Sequence, residues 1–151
     1  QSPVFRAPKA SEVKNEPWFS KVRAHLRRYP NIVIYDFQTG IHYNVHIFSF
    51  GKHADGEPIT KEDTEKMKKA LGESNWTPRP VWAILSDGTV YMASTHSNGH
   101  GTDLNPSNGL QGHICVHFQR TMEEAEKTGP YAVSHQNSIL AGWDLTKEMA
   151  R

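Results

Sequence analysis

The segment LQGHICVHFQR, residues 110–120, carries the only cysteine of the chain, Cys115, with His113 and His117 two positions away on either side. A thiol is a weak nucleophile until it loses its proton, and a neighbouring imidazole is the usual acceptor of that proton. The same residue types also suit a metal site, and a lone cysteine is often a small buried hydrophobic residue. The segment therefore leaves three interpretations open: a nucleophile, a metal ligand or a core residue.

The alternation of residue types in this segment favours chemistry over burial of the thiol. If residues 113–118 form a strand, the cysteine and both histidines share a face, because residues at i and i+2 point the same way. Ile114, Val116 and Phe118 then lie on the opposite face, toward the core. A glycine-rich loop over residues 96–112 precedes the strand, and such loops often line a substrate cleft.

A second group with possible chemistry is the pair His53 and Asp55, which the sequence places on a loop. Together with His113 or His117, this pair would supply two or three histidines and one carboxylate. Such a set suits zinc with water in an open position. Two other interpretations stay open: the pair stabilises its loop, or Asp55 holds an active-site histidine as in a catalytic triad.

Composition excludes several classes of function. The chain of 151 residues has a formal net charge of +1, so it has no overall field to attract nucleic acid, and no nucleic-acid partner is expected. No apolar run approaches 18 residues, so no membrane span is expected. One cysteine excludes an internal disulfide and sites built from several thiolates. Nine histidines are many for this length, and histidine is the side chain best suited to proton transfer near neutral pH.

The elements that must position these residues are mixed. Alternating apolar residues predict a hairpin over 31–50, and Thr60 with Asp63 predicts a capped helix over 61–71. Two further strands meet at Ser-Asp-Gly, and helices follow the cysteine segment. The order predicts an α+β fold with a mainly antiparallel sheet and peripheral helices. We expect a linker-like N-terminal edge at 1–16 and one catalytic domain at 17–151.

The stretch HGTDLNPSNGLQGHICVHF, residues 100–118, resembles the active-site segment of L,D-transpeptidases, which are bacterial cell-wall enzymes with a mostly β catalytic domain. The matching positions are His100, Gly101, Thr102, Pro106, His113 and Cys115. Three positions depart from the motif: Gly112 replaces a serine or threonine, Ile114 replaces a glycine, and His117 replaces an arginine or asparagine. The resemblance implies a β-sandwich catalytic domain.

A second resemblance concerns HADGEPITKED, residues 53–63, taken together with GHICVHF, residues 112–118. The two segments are similar to those of a divergent set of bacterial cell-wall-associated proteins, which often carry peptidoglycan-binding or SH3-like modules. This resemblance implies an extracellular or cell-wall location, an export signal upstream, and other wall-binding modules in the full-length chain.

The resemblance also implies a mechanism without metal or cofactor. Cys115 attacks a carbonyl of a peptidoglycan stem tetrapeptide, the terminal D-alanine leaves, and water or a second stem's amine resolves the thioester. His100 is the preferred base and His96 the alternative, while His113 orients the thiol. The backbone N–H of Cys115 is expected to hold the oxyanion, and Gly112 to let the backbone approach the substrate. Substrate contacts are expected from Arg120, His117 and His96.

Two other functions compete with this mechanism. One is a zinc-dependent cell-wall peptidase that uses His53, Asp55 and His113 or His117. The other is a catalytically silent wall-binding module, which Ile114 favours because the residue before the nucleophile is usually small in the family.

Overall fold

The computed structural model describes residues 4–151 and combines a sheet with helices. The strands are β1 (Val13–Lys14), β2 (Asn31–Asp36), β3 (Ile41–Phe50), β4 (Ala54–Pro58), β5 (Arg79–Ile84), β6 (Val90–Thr95) and β7 (Ile114–Phe118). The α-helices are α1 (Arg23–Arg28), α2 (Lys61–Leu71), α3 (Met122–Thr128) and α4 (Pro130–Met149). The predicted α+β class with a mainly antiparallel sheet is confirmed.

Six of these strands close into a barrel. The order around it is β6, β5, β2, β3, β4 and β7, and β7 pairs again with β6. All six pairings are antiparallel. The sandwich that the resemblance implies is not confirmed, because the β6–β7 pairing joins the strands into one continuous sheet.

The N-terminal strand β1 also pairs with β6, in addition to the six barrel strands. It runs parallel to the start of β6, with Val13 opposite Val90, and the side chain of Val13 is buried. β1 lies within the stretch expected to be a linker-like edge, and the division of the chain at residue 16 stays a prediction.

The hairpin of β2 and β3 follows its sequence pattern. Tyr43, Val45 and Ile47 of β3 are buried, and the residues between them are more exposed. Gly40 has φ +80° in the connecting turn, which is the left-handed region that glycine enters without steric cost. The alternation places one face of the hairpin in the core, and the predicted hairpin is confirmed.

Helix α2 begins and ends where the sequence predicts. The Thr60 hydroxyl accepts from the Asp63 backbone N–H at 3.1 Å, and the Asp63 carboxylate accepts from the Thr60 N–H at 2.9 Å. Such a cap is worth about 1 kcal/mol. Asp63 also accepts from the backbone N–H of Asn44 at 2.9 Å, so the cap fixes the helix to β3.

The apolar face of β7 anchors the cysteine segment to the core. Ile114, Val116 and Phe118 are fully buried, and the ring of Trp18 stacks on Phe118 with centroids 5.5 Å apart. Trp18 begins a π-helical turn that leads into α1. Among the helices of residues 4–151, none combines the length and apolar character that crossing a bilayer requires.

Candidate functional site

The register of β7 with its two neighbours assembles the site. Asp55 of β4 lies opposite Cys115, and Ser94 of β6 lies opposite His117. Paired residues of antiparallel strands point to the same face with their Cβ atoms about 5 Å apart. The barrel closure therefore brings a carboxylate beside the thiol and a hydroxyl beside the second histidine.

His100 faces the thiol in the form that can accept a proton. Its Nδ1 lies 3.0 Å from the carbonyl oxygen of Asn98, and a carbonyl only accepts, so Nδ1 carries the hydrogen. The unprotonated Nε2 lies 3.7 Å from Sγ of Cys115. The Asn98 carbonyl thus fixes the tautomer that a general base requires.

Asp55 is the second polar group on the thiol. Its Oδ1 accepts from Sγ of Cys115 at 3.5 Å and from Nε2 of His53 at 3.1 Å. Burial favours the neutral acid, but the hydrogen bond and charge of His53, the charge of His113 and the thiol contact together hold the pKa of Asp55 below its ordinary value. The carboxylate is therefore ionised at neutral pH.

The thiol of Cys115 is protonated in this environment. Burial raises its pKa well above the ordinary value, and the neighbouring carboxylate of Asp55 raises it further, because a thiolate there would face a like charge. Cys115 is 4% exposed, while the side chains of His53 and Asp55 beside it are 28% and 22% exposed. The sulfur thus lies below a partly open polar rim.

His113 links the glycine-rich loop to the site. Its Nδ1 donates to the carbonyl of Thr102 at 2.8 Å, and its Nε2 lies 3.7 Å from Oδ1 of Asp55. The buried carboxylate of Glu57 holds the same loop by accepting from the backbone N–H of Leu104 at 2.6 Å. The loop is therefore fastened at Thr102 and Leu104, shortly after His100.

Gly112 permits the close approach of the two histidine-bearing segments. His100 and His113 exchange two backbone hydrogen bonds, at 3.1 and 2.8 Å. Gly112 has φ +89°, and a Cβ there would lie 2.6 Å from the backbone nitrogen of His100 and closer still to its carbonyl group. Gly112 therefore positions His100 through backbone packing, in addition to any approach to substrate.

We expect Gly112→Ala to lower the free energy of unfolding by more than about 4 kcal/mol, because strain and a backbone clash coincide. Gly88 is the matched control, since it has φ +91° with open space around its Cβ position. Gly88→Ala should cost only the left-handed conformation, about 1–2 kcal/mol. Urea denaturation measures both values. Equal losses in the two variants would show that the clash is absent.

His96 lies on the backbone side of the cysteine. Its Nε2 is 3.1 Å from the backbone nitrogen of Cys115, and its Nδ1 is 3.1 Å from that of Asn98. A neutral imidazole has one acceptor nitrogen, so only one of these contacts is a hydrogen bond. Burial, with the nearby charges of His100 and other histidines, lowers the pKa of His96 to about 3. The N–H of Cys115, expected to hold the oxyanion, faces His96 instead.

A group of buried histidines lies beyond the thiol. His117 and His135 stack with ring centroids 4.0 Å apart and planes 4° apart, and Nδ1 of His135 contacts the Ser94 hydroxyl at 2.7 Å. Both ring nitrogens of His117, Nε2 of His135 and Nδ1 of His53 are buried without a hydrogen-bond partner among residues 4–151. An unpaired buried polar atom costs about 1–3 kcal/mol, so such a group calls for a functional explanation.

These buried histidines make the protein sensitive to acid. Burial, with the nearby charges of His96, His53 and Arg120, lowers the pKa of His135 to about 3. Burial, with the charges of His135 and the same neighbours, lowers the pKa of His117 well below its ordinary value. Below about pH 6.5 the unfolded chain binds protons that the folded state excludes, so the free energy of unfolding falls as the pH falls.

We expect a loss of several kcal/mol between about pH 6.5 and pH 3, measured by denaturation of the protein in the presence of a chelator. His135→Gln should make the dependence shallower, whereas His46→Gln, at an exposed position of β3, should not. A stability that stays flat down to about pH 4 would contradict neutral burial of these rings.

Arg120 has a different place from the one expected of a substrate-binding residue. It is 2% exposed; its Nη2 donates to the Lys52 carbonyl, and its Nη1 lies 3.4 Å from the Thr128 hydroxyl. The guanidinium also lies over the ring of Phe19, 5.3 Å from its centroid. Arg120 therefore holds the loop that carries His53. His117, also 2% exposed, and His96, fully buried, likewise lie inside the protein.

The sequence named most of the side chains that surround the thiol, including Cys115, His100 and Asp55. It did not point to the Asn98 carbonyl, because a backbone acceptor has no signature in residue type. It also did not point to Ser94 or to Tyr131. The ring centroid of Tyr131 lies 4.6 Å from that of His135. The paired position of Ser94 is visible only once the β6–β7 register is known.

Within residues 4–151, two sets of side chains are close enough to share a metal ion. One is His53, Cys115 and His117, and the other is His96, His100 and Cys115; in each set the ligand atoms lie within 4.8 Å of one another. The chain thus offers the thiol to either a base or a metal.

Comparison with protein-family models, with curated proteins and with solved structures finds no match for this chain.

Proposed function

We propose that this protein is a cysteine-dependent enzyme that transfers or hydrolyses acyl groups of peptidoglycan stem peptides, in the manner of an L,D-transpeptidase or L,D-carboxypeptidase. The observation that carries the proposal is the unprotonated Nε2 of His100 at 3.7 Å from Sγ of Cys115, with its tautomer fixed by Asn98. A thiol beside a correctly oriented imidazole is the minimum that nucleophilic catalysis requires.

In the proposed reaction the thiol is neutral until substrate arrives. Sγ of Cys115 attacks the carbonyl carbon that precedes the terminal D-alanine, and its proton passes to Nε2 of His100. The tetrahedral intermediate collapses with cleavage of the carbon–nitrogen bond, and the proton on His100 goes to the amine of the departing D-alanine. A thioester remains, which water or the side-chain amine of a second stem resolves. His113 and Asp55 hold the rim in place.

The surroundings of the thiol supply surfaces for a peptide. Trp76 is 47% exposed, and its ring lies 4.6 Å from that of His100. On the other side Phe48 contacts the ring of His113 and also lines a cavity of about 460 Å³ with Ile59 and Leu104. A cavity of this size is in the range that binds small ligands. We assign the substrate to the surface between these two walls.

The substrate class in this proposal rests on the resemblance of residues 100–118 to L,D-transpeptidases. The location rests on the similarity of residues 53–63 and 112–118 to bacterial cell-wall-associated proteins. The proposal places the protein outside the bacterial cell or at its wall, beside other wall-binding modules. Ile114 gives no support to a silent module, because its side chain is fully buried in the core and away from the thiol.

The experiment incubates chelator-treated protein with a stem tetrapeptide and measures released D-alanine by mass spectrometry. Iodoacetamide should abolish the release, and the chelator should leave it intact. Release that resists iodoacetamide but is lost with the chelator would identify a zinc peptidase that uses His53, Asp55 and His113 or His117. Binding to isolated cell walls without any release would identify a silent module.

A further inference from the structure

The proposed acyl transfer does not use the buried histidines beside Cys115. That reaction needs only His100 as a base. His117 takes no part in it, although it is 2% exposed and both of its ring nitrogens are unpaired among the described residues. The nitrogen Nδ1 of His53 is likewise buried and unpaired. One ring nitrogen of His53, one of His117 and Sγ of Cys115 all lie within 4.8 Å of one another.

We propose that His53, Cys115 and His117 bind one zinc ion, and that the bound ion switches off the thiol as a nucleophile. Two imidazoles and one thiolate are ligands that zinc prefers, and a fourth position is left for water. The first half of this proposal stands on the side chains alone. The second half rests on the proposed function of Cys115.

The hydrogen bonding of His53 prepares it as a ligand. Its Nε2 lies 3.1 Å from Oδ1 of Asp55, and a carboxylate only accepts, so Nε2 carries the hydrogen and Nδ1 has a free lone pair. A carboxylate that orients a metal-binding histidine in this way is the usual arrangement around zinc. Asp55 therefore acts through His53 and adds negative charge near the ion.

Neither His135 nor His96 suits the role of a further ligand or an alternative ligand of this zinc ion. The rings of His117 and His135 are parallel to within 4°, and a metal ion lies near the plane of each ring it binds, so one ion cannot serve both. In the other candidate set, both ring nitrogens of His96 face backbone N–H groups at 3.1 Å. A neutral His96 has one lone pair, which already accepts one of these N–H groups, so binding a metal ion there would displace that donor, whereas His117 loses no partner.

Zinc binding requires a small movement. Tetrahedral zinc with bonds of about 2.0 Å to nitrogen and about 2.3 Å to sulfur holds its ligand atoms about 3.3–3.6 Å apart. The His53 and His117 rings lie 26° from parallel, so the His53 ring must turn. His53 is the more exposed of the two, with 28% of its side chain accessible. The ion would draw Sγ of Cys115 away from His100. It would also occupy a lone pair of Sγ, which blocks attack of the sulfur on a carbonyl.

The test is a titration of chelator-treated protein with Co²⁺, a spectroscopic substitute, followed by displacement with Zn²⁺. We expect a thiolate-to-cobalt charge-transfer band and visible absorption typical of tetrahedral cobalt. The band should vanish in Cys115→Ser. His53→Gln and His117→Gln should weaken zinc binding by more than about 100-fold, and Asp55→Asn by about 10–100-fold. His100→Gln and the exposed control His46→Gln should bind nearly as tightly as the wild type.

Four outcomes overturn or divide the proposal. The zinc site would be overturned if the wild type showed no band. It would also be overturned if His100→Gln lost the band while His53→Gln kept it. If the buried His117→Gln variant does not fold, His53→Gln still tests the site. Zinc that binds without stopping D-alanine release would overturn the switch. A band in protein whose metal-free form never releases D-alanine would defeat the proposed function and leave the zinc site standing.

Discussion

Replacing Cys115 with serine is expected to lower the release of D-alanine from a stem tetrapeptide by at least about 1000-fold, because the hydroxyl is far harder to deprotonate than the thiol. Serine has nearly the same size, and its hydroxyl can keep the hydrogen bond to Asp55, so the free energy of unfolding should change by less than about 1.5 kcal/mol. Steady-state kinetics and urea denaturation of the same preparation measure the two quantities.

The control for this variant is Ser94→Ala, which removes a hydroxyl from the neighbouring strand near His135 without touching the thiol. It should retain most of the activity. A Cys115→Ser variant that folds and keeps more than a tenth of the wild-type rate would rule out a thioester. Catalysis would then have to come from the surrounding histidines and a metal ion.

The second large effect concerns His100. His100→Gln should reduce the rate of thiol acylation by about 100- to 10,000-fold, the usual contribution of a general base. The residue is partly exposed and its backbone bonds to His113 do not depend on the side chain, so the fold should be preserved. Rapid-quench measurement of the first turnover isolates the acylation step from resolution of the thioester.

His96→Gln separates the two histidines that the sequence left as alternatives. His96 faces the backbone N–H of Cys115 and not its sulfur, so its replacement should reduce stability more than it reduces acylation. A folded His96→Gln variant with a larger loss of acylation than His100→Gln would reverse the assignment of the base.

Local features of the fold were predictable because they depend on neighbouring residues. The Thr60–Asp63 cap, the turn at Gly40 and the alternation along β7 each involve a few consecutive positions. The shared face of Cys115 and His117 follows from the same alternation, and the structure places both beside His53. Strand alternation alone therefore predicted that Cys115 and His117 lie on one face of β7.

The remaining parts of the site depend on pairings between distant segments. Asp55 meets Cys115 only through the register of β4 with β7, and a shift of one residue would turn the carboxylate to the other face. The sequence could name Asp55 as a candidate but could not place it against the sulfur. Closure of the sheet through β6 and β7 is likewise non-local, and the sandwich was expected only from the resemblance to L,D-transpeptidases.

Burial was the least accessible property in the sequence. Arg120 follows the cysteine strand closely and has the right charge for a carboxylate, yet the structure uses it to hold the Lys52 carbonyl. The alternation along β7 places His117 on the same face as Cys115, but His135 of α4 stacks on its ring and covers it. A helix that is distant in sequence gives no signal in the residue types next to the positions that it buries.

The most direct measurement for the central claim is intact-mass spectrometry of chelator-treated protein mixed with a stem tetrapeptide and quenched in acid. We expect a mass increase equal to the peptide without its terminal D-alanine, located on Cys115 by peptide mapping and absent in Cys115→Ser. The adduct should form more slowly in His100→Gln. Turnover of the peptide with no adduct at any quench time, and with full sensitivity to the chelator, would rule out Cys115 as the nucleophile.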